Sequence, residues 1–309
     1  MMKTKKVVIT GATGSIGMAL ISHFIKNNIE VLVLYRGNSS RSFRIPNHPL
    51  VKKEICSLNE MANFELNSDE KYDVFYYFAW DGTFGNARND MYLQNQNIKY
   101  SLDAVKLANR LGCHTFIGAG SQAEYGRVEG KLTPNTPAFP ENGYGIAKLC
   151  AGKMTKIVCE QLNMRHIWAR ILSVYGPMDN ETSLTMSTIS KLIKGEETHF
   201  TKGEQMWDFL YSEDAANAFH LMAEKGVHGS IYCLGSGNNT VLKDAIEEIF
   251  NQINPNAKTG IGDIPYPPNQ VMFLLADIES LTRDTGFVPK VSFKEGIRKT
   301  IEWYKENNK

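Results

Sequence analysis

The apolar run Val7-Val8-Ile9-Thr10 leads directly into Gly11-Ala12-Thr13-Gly14-Ser15-Ile16-Gly17. From Ser15 to about Asn27 the chain reads as a helix, with Ile16, Leu20, Phe24 and Ile25 on one side. A glycine-rich turn between a strand and a helix lets backbone approach a pyrophosphate, and the helix N-terminus offers free N–H groups and the positive end of a dipole. The apolar run has no period-two alternation, as expected of a strand covered on both faces of a parallel sheet. The glycines are spaced three and three rather than as G-x-G-x-x-G. A tight strand–helix turn with no ligand would satisfy the same pattern; the strand before and helix after favour the phosphate reading.

Further along, strand-like and helix-like stretches alternate. Glu30–Tyr35, Asp73–Trp80, Thr115–Ala119 and 166–172 read as strands; Met91–Arg110 and 144–162 read as helices. This alternation implies an α/β fold, a Rossmann-type doubly wound parallel sheet with right-handed crossovers. After Gly176-Pro177 the pattern is irregular, with helix-like segments at 187–194, near 243–252 and at 293–306, and a rigid loop at Ile264-Pro265-Tyr266-Pro267-Pro268. The expected division is a dinucleotide-binding domain over 1–175, with returns near 198–240, and a smaller C-terminal α/β substrate lobe over 176–309. No linker separates them.

With 309 residues, 42% of them hydrophobic, and a formal net charge of +1, the chain can bury a large core and presents no global field for nucleic acid. Its apolar runs are strand-sized, so no membrane span is expected. A strand begins close to Met1 of this sequence, so no signal peptide is expected. Five scattered cysteines without a C-x-x-C pair read as reduced thiols in a cytoplasmic protein, and the seven histidines lack metal-ligand spacing.

Tyr144 and Lys148 lie one helical turn apart and share a face. A phenol is a poor acid or base at neutral pH, and a nearby ammonium favours its phenolate. A Y-x-x-x-K string also arises by chance. Ser121 lies just beyond a strand, at the carboxyl end of the sheet where ligands bind in open α/β folds. A hydroxyl there would polarise a carbonyl as Tyr144 delivers a proton, although a serine at that place also suits a simple turn cap. At the end of the second strand, where an acid would bond the ribose 2′-hydroxyl of NAD, stand Tyr35 and Arg36. An arginine suits a 2′-phosphate, with Ser39, Ser40 and Arg41 as further donors. NADP(H) is therefore the preferred cofactor and NAD(H) the alternative; Arg36 as an ordinary surface residue stays open.

With these residues in place, the chain resembles the extended short-chain dehydrogenase/reductase superfamily, in its nucleotide-sugar epimerase/dehydratase/reductase branch, nearly end to end. Thr10–Gly17 is similar to T-G-x-x-G-x-x-G, Gly120-Ser121 with Tyr125-Gly126 to the S-S…Y-G stretch, and Tyr144 with Lys148 to the catalytic pair. Arg170–Pro177, Asp208-Phe209 with Asp214, and Asp277-Ile278 through Gly286-Phe287 resemble later signatures. Three departures stand out: Trp207 replaces the arginine before D-F, Ser173 replaces an asparagine, and Phe78-Ala79-Trp80-Asp81-Gly82-Thr83 replaces small residues. They look more like 4-keto-6-deoxyhexose reductases, such as CDP-abequose synthase, than UDP-galactose 4-epimerase.

The resemblance implies catalysis by Ser121, Tyr144 and Lys148. It implies cofactor contacts at Gly11, Thr13, Gly14, Ser15, Ile16, Gly17, Arg36, Ser57, Leu58, Phe78, Ala79, Trp80, Asn97 and Ile171, besides Tyr144 and Lys148. Substrate contacts are implied at Thr83, Ser121, Gln122, Ser173, Trp207, Tyr266 and Arg283, and a homodimer through the helices at 91–110 and 144–162, with Leu149, Met154 and Ile157 outward. The expected reaction is NADPH-dependent reduction of the C4 ketone of a nucleotide-linked 4-keto-6-deoxyhexose (a CDP- or dTDP-sugar). An NAD-dependent 4-epimerase is the alternative, and a non-catalytic dinucleotide sensor a third reading. A dehydratase would need a carboxylate beside the serine, where Gln122-Ala123 stand, with Glu124 displaced.

Overall fold

The computed structural model describes residues 4–308. Strands β1 (Lys6–Thr10), β2 (Glu30–Tyr35), β3 (Val51–Ile55), β4 (Val74–Tyr77), β5 (Thr115–Ser121) and β6 (Arg165–Ile171) join one parallel sheet. The chain then leaves it for β7 (Ser173–Tyr175), β8 (Met206–Trp207) and β9 (Phe209–Tyr211), and returns as β10 (Ile231–Leu234) beside β6. The order β10-β6-β5-β4-β1-β2-β3 is that of a doubly wound dinucleotide-binding sheet with one strand added.

Both faces are covered. Val7, Ile9, Val31 and Val33 point to one side with Leu20 and Phe24 of α1 (Ser15–Lys26), while Val8, Leu32 and Leu34 point to the other. That other side holds Ala104 and Leu107 of α2 (Met91–Arg110) and Cys159 of α3 (Gly143–Gln161). Burial on both faces is why the strands carry no polar alternation. All five cysteines are free.

Differences from the sequence reading have local causes. β3, Val-Lys-Lys-Glu-Ile, was not expected; it is an edge strand, and its charged outer residues hide the apolar signal. β4 ends at Tyr77 rather than Trp80. The N–H groups of Phe78 and Ala79 donate to Thr10 Oγ1, at 3.2 Å each, and turn the chain out of the ladder. α4 (Leu184–Lys194) starts three residues before the expected 187, because Ser183 caps it through the Met186 N–H.

α4, α6 (Leu242–Ile253) and α8 (Phe293–Asn307) share a second core built on Tyr175, Ile189, Phe209, Ile249 and Ile297. α5 (Ser212–Lys225) packs on α1, and α7 (Glu279–Thr285) leans on α5 and β10. Two buried aspartates tie the parts together. Asp208 accepts the N–H and hydroxyl of Ser236, at 2.6 Å each, and the N–H groups of Gly237 and Ala276. Asp214 accepts the N–H groups of Lys290 and Val291. The D-F…D pattern thus works as a joint that binds β9 and α5 to the segments after β10 and before α7 and α8.

Candidate active site

The carboxyl ends of β1, β4, β5 and β6 open into a cleft of about 870 Å³. Its walls include Gly11, Gly14, Ser15, Ile16 and Gly17, then Phe78, Trp80, Thr83, Ser121, Tyr144, Lys148, Ile171, Ser173 and Trp207. Residues from six separate segments of the chain therefore meet in one cavity.

The glycine turn is shaped by close approach. Gly11 has φ +69°, and a Cβ there would fall 2.7 Å from Ala79 N. A Cβ on Gly17 would lie 2.7 Å from Ala12 Cα. Gly14 leaves the N-terminus of α1 without a side-chain cap, and the buried Ser15 hydroxyl has no partner. Free N–H groups and an orphaned hydroxyl at a helix start fit a diphosphate. Thr13 does not line the cleft. Its carbonyl accepts from Arg44, which also bonds the Met178 carbonyl and so ties the turn to the loop after β7.

Ser121 ends β5 and caps a short 3-10 turn, Gln122–Glu124; its Oγ accepts the Ala123 N–H at 3.2 Å. The turn is fixed by Glu124, which is fully buried. One carboxylate oxygen accepts the Ser121 N–H and Trp168 Nε1, both at 2.9 Å; the other accepts Arg170 Nε at 2.7 Å. The indole of Trp168 fills a slot left by glycines 118, 120 and 152, where any Cβ would strike it. Glu124, read from sequence only as a displaced carboxylate, is thus the support of Ser121.

Tyr144 sits in the first turn of α3, which Asn142 caps by accepting the Gly145 N–H. Burial raises the pKa of its phenol, against lowering by a hydrogen bond from Ser121 and by the charge of Arg88; Glu124 adds to the rise. Lys148 is buried, donates to the Ala119 carbonyl at 2.7 Å, and lies 3.8 Å from the Trp80 ring centre. That burial brings its ammonium down to about 7, with Glu124 opposing. Lys148 Nζ is 5.7 Å from the Tyr144 ring centre, while the guanidinium of Arg88 is 4.3 Å above it. The cation closest to the phenol ring is therefore Arg88, from an irregular loop that no periodicity marks.

Other expected residues sit elsewhere. Asn97 is fully buried and is a clamp: its side chain bonds the N–H and carbonyl of Asp81 and does not line the cleft. Ala79 and Gln122 flank lining residues without lining it themselves. Ser57 caps a 3-10 turn with Glu60, and Leu58 packs under the sheet. Tyr266 accepts the Glu204 N–H through its hydroxyl, outside the cleft wall. Arg283 is exposed on α7 and pairs with Asp284, on the α5 side of the molecule, so the structure does not bring it to the cleft. Arg36 lies 3.8 Å from Asp81. A carboxylate therefore does stand at the end of β2, delivered from the loop after β4; no count along the second strand would find it. Arg41 also lines the cleft.

The chain matches the family model "NAD dependent epimerase/dehydratase family" over residues 7–235. It is 25% identical, over 99% of its length, to a trifunctional UDP-glucose 4,6-dehydratase/UDP-4-keto-6-deoxy-D-glucose 3,5-epimerase/UDP-4-keto-L-rhamnose-reductase of Arabidopsis thaliana, and spans about half (48%) of that relative. It is 23% identical to the dTDP-glucose 4,6-dehydratase of Neisseria gonorrhoeae, covering 98% of this chain and 96% of that one. Its fold is like that of UDP-glucose 4-epimerase from Thermotoga maritima, solved with UDP-glucose: TM-score 0.88, 21% identity, 98% and 100% of the two chains. The glycine turn on β1, the Tyr144–Lys148 pair on α3 and the extent of the family match lead to one assignment: the chain belongs to the NAD dependent epimerase/dehydratase family.

Proposed function

We propose that this chain uses NADPH to reduce the C4 ketone of a nucleotide-linked 4-keto-6-deoxyhexose. The observation that carries the reading is Arg36 at the end of β2, with Arg41 in the cleft wall, where a 2′-phosphate would find charge-assisted donors. The dinucleotide, when bound, supplies the hydride. Gly11, Gly14, Ser15, Ile16 and Gly17 would hold its diphosphate, with Phe78, Trp80 and Ile171 along its length.

The chain's own residues supply the rest. The Ser121 Oγ accepts from Ala123, so its proton can turn from the Tyr144 oxygen to a substrate carbonyl oxygen. Tyr144 gives its phenolic proton to the oxygen that becomes the C4 hydroxyl, and water restores it. Lys148 spends one of its three donors on Ala119 and keeps two for ribose hydroxyls. Trp80 keeps water off the lysine. Thr83, Ser173 and Trp207 line the substrate side, with an indole where the family commonly has an arginine. The Gln122-Ala123 pair offers no carboxylate, and Glu124 is spent on Arg170, which disfavours dehydration. Tyr144→Phe should cut turnover at least ~100-fold while dinucleotide affinity stays within about twofold; surviving turnover overturns the assignment.

A C4 epimerase is the second reading, favoured by one observation: Asp81, paired with Arg36, places a carboxylate where a ribose 2′-hydroxyl would lie. Purified protein that releases stoichiometric NAD on denaturation, and interconverts sugars without added cofactor, would establish it. Tyr92, Ile146 and Ile157, exposed on α2 and α3, suit a homodimer through these helices, which sedimentation at low micromolar concentration tests.

A further inference from the structure

We propose that Arg88 is a positioning residue of the catalytic centre, a second cation held over the face of the Tyr144 ring by a clamp built for that purpose. The inference rests on Tyr144 as the proton donor. Arg88 lies in the 3-10 turn Gly85–Asn89, with its guanidinium 4.3 Å above the phenol ring centre. Nothing in the spacing of the sequence marks it.

The clamp has three parts. Arg88 Nη1 donates to the Thr83 carbonyl at 3.1 Å, so one arm of the fork is fixed while the plane covers the ring. Gln94, 1% exposed on α2, donates to the carbonyls of Gly82 and Ala87, at 2.9 Å each, and accepts Trp80 Nε1 at 2.9 Å. Asn89 Oδ1 accepts the N–H of Gly143, the residue before Tyr144, at 3.0 Å. The contact is close: a Cβ on Gly143 would lie 3.0 Å from the Arg88 carbonyl. One buried glutamine thus sets both Trp80, over Lys148, and the turn that carries Arg88.

The charge environment gives this position a task. The groups acting on Tyr144 are the Ser121 hydroxyl from the end of β5, Glu124 behind it, Lys148 on α3 and Arg88 from the turn. Burial and Glu124 oppose the phenolate. Lys148 is engaged with Ala119 and sits farther from the ring than Arg88. A cation over a phenolate ring is favoured by charge and by the ring quadrupole. Arg88 therefore stabilises Tyr144 as it gives up its proton and braces the ring from the face it covers.

The test places 3,5-difluorotyrosine at position 144, which brings phenol ionisation into an accessible range and provides a fluorine signal. The full chain is titrated with Arg88 intact, as Arg88→Met and as Arg88→Lys. The expected midpoint rises by about one pH unit in Arg88→Met and by less than half of that in Arg88→Lys. A midpoint in Arg88→Met within about 0.2 unit of the parent, or equal shifts in both variants, overturns the proposal. Matching near-ultraviolet circular dichroism of Arg88→Lys and parent guards against a folding defect. The titration needs no substrate: a shifted midpoint alongside a Tyr144→Phe variant that still turns over would leave the charge coupling of Arg88 to Tyr144 standing and remove its part in the reaction.

Discussion

Replacing Glu124 with glutamine changes one atom and removes one buried charge. In the native protein its carboxylate accepts from Arg170, Trp168 and the backbone of Ser121. Arg170 is 3% exposed and lies against the face of the Tyr125 ring at 4.3 Å, so solvent compensates its charge poorly. Breaking one side of such a pair costs about 3–5 kcal/mol. Unfolding entropy near 2.1 cal/mol/K per residue gives about 0.65 kcal/mol/K for a chain of 309 residues, so Tm should fall by about 5–8 °C. Differential scanning calorimetry at neutral pH reads this directly. Pairing Glu124→Gln with Arg170→Met should recover part of the loss, because both charges are then gone. A Tm within about 1 °C of the parent for Glu124→Gln alone would refute the view that this pair holds the Ser121 turn.

Gly17→Ala should weaken dinucleotide binding at least ~10-fold by calorimetry, since the new methyl meets backbone rather than a side chain that can move. Arg36→Ala should raise the NADPH dissociation constant about tenfold and leave that of NADH unchanged, the loss of roughly one charge-assisted bond; equal effects on both would point away from the 2′-phosphate. Lys148 gives a pH signature. Its folded-state pKa of about 7 lies below the unfolded value near 10.5, so between these the unfolded chain binds more protons and stability rises with pH. Below pH 7 the burial cost is present in full. Lys148→Met should therefore be stabilised relative to the parent at pH 7 and lose that advantage by pH 10 in urea unfolding; a difference that does not vary with pH contradicts the burial account.

The sheet and the glycine turn were legible because their causes are local. A strand buried on both faces must be apolar throughout, and a turn position where a Cβ would fall 2.7 Å from neighbouring backbone must be glycine. The Tyr144–Lys148 pair was legible through helical spacing, and Ser121 through its place at a strand end. β3 was hidden because an edge strand of lysines and glutamate carries no apolar signal. Asp81, Arg88 and the role of Glu124 were hidden for a different reason. The first two lie on the irregular loop between β4 and α2, where no period exists, and their partners Arg36 and Tyr144 are more than forty residues away in the chain. Asn97 shows the converse. Its position was anticipated, yet its amide is consumed by the Asp81 backbone. Trp207 for arginine was visible in the sequence, and the structure places its indole in the cleft wall.

The central claim is net reduction of a nucleotide-linked ketosugar, and absorbance at 340 nm tests it most directly. Purified protein is mixed with NADPH or NADH and a panel of CDP-, dTDP-, GDP- and UDP-4-keto-6-deoxyhexoses. The account expects stoichiometric oxidation of NADPH with a CDP- or dTDP-sugar, slower oxidation of NADH, and none with Tyr144→Phe. No oxidation of either cofactor with any ketosugar, together with interconversion of 4-hydroxy nucleotide sugars without added dinucleotide, would contradict it.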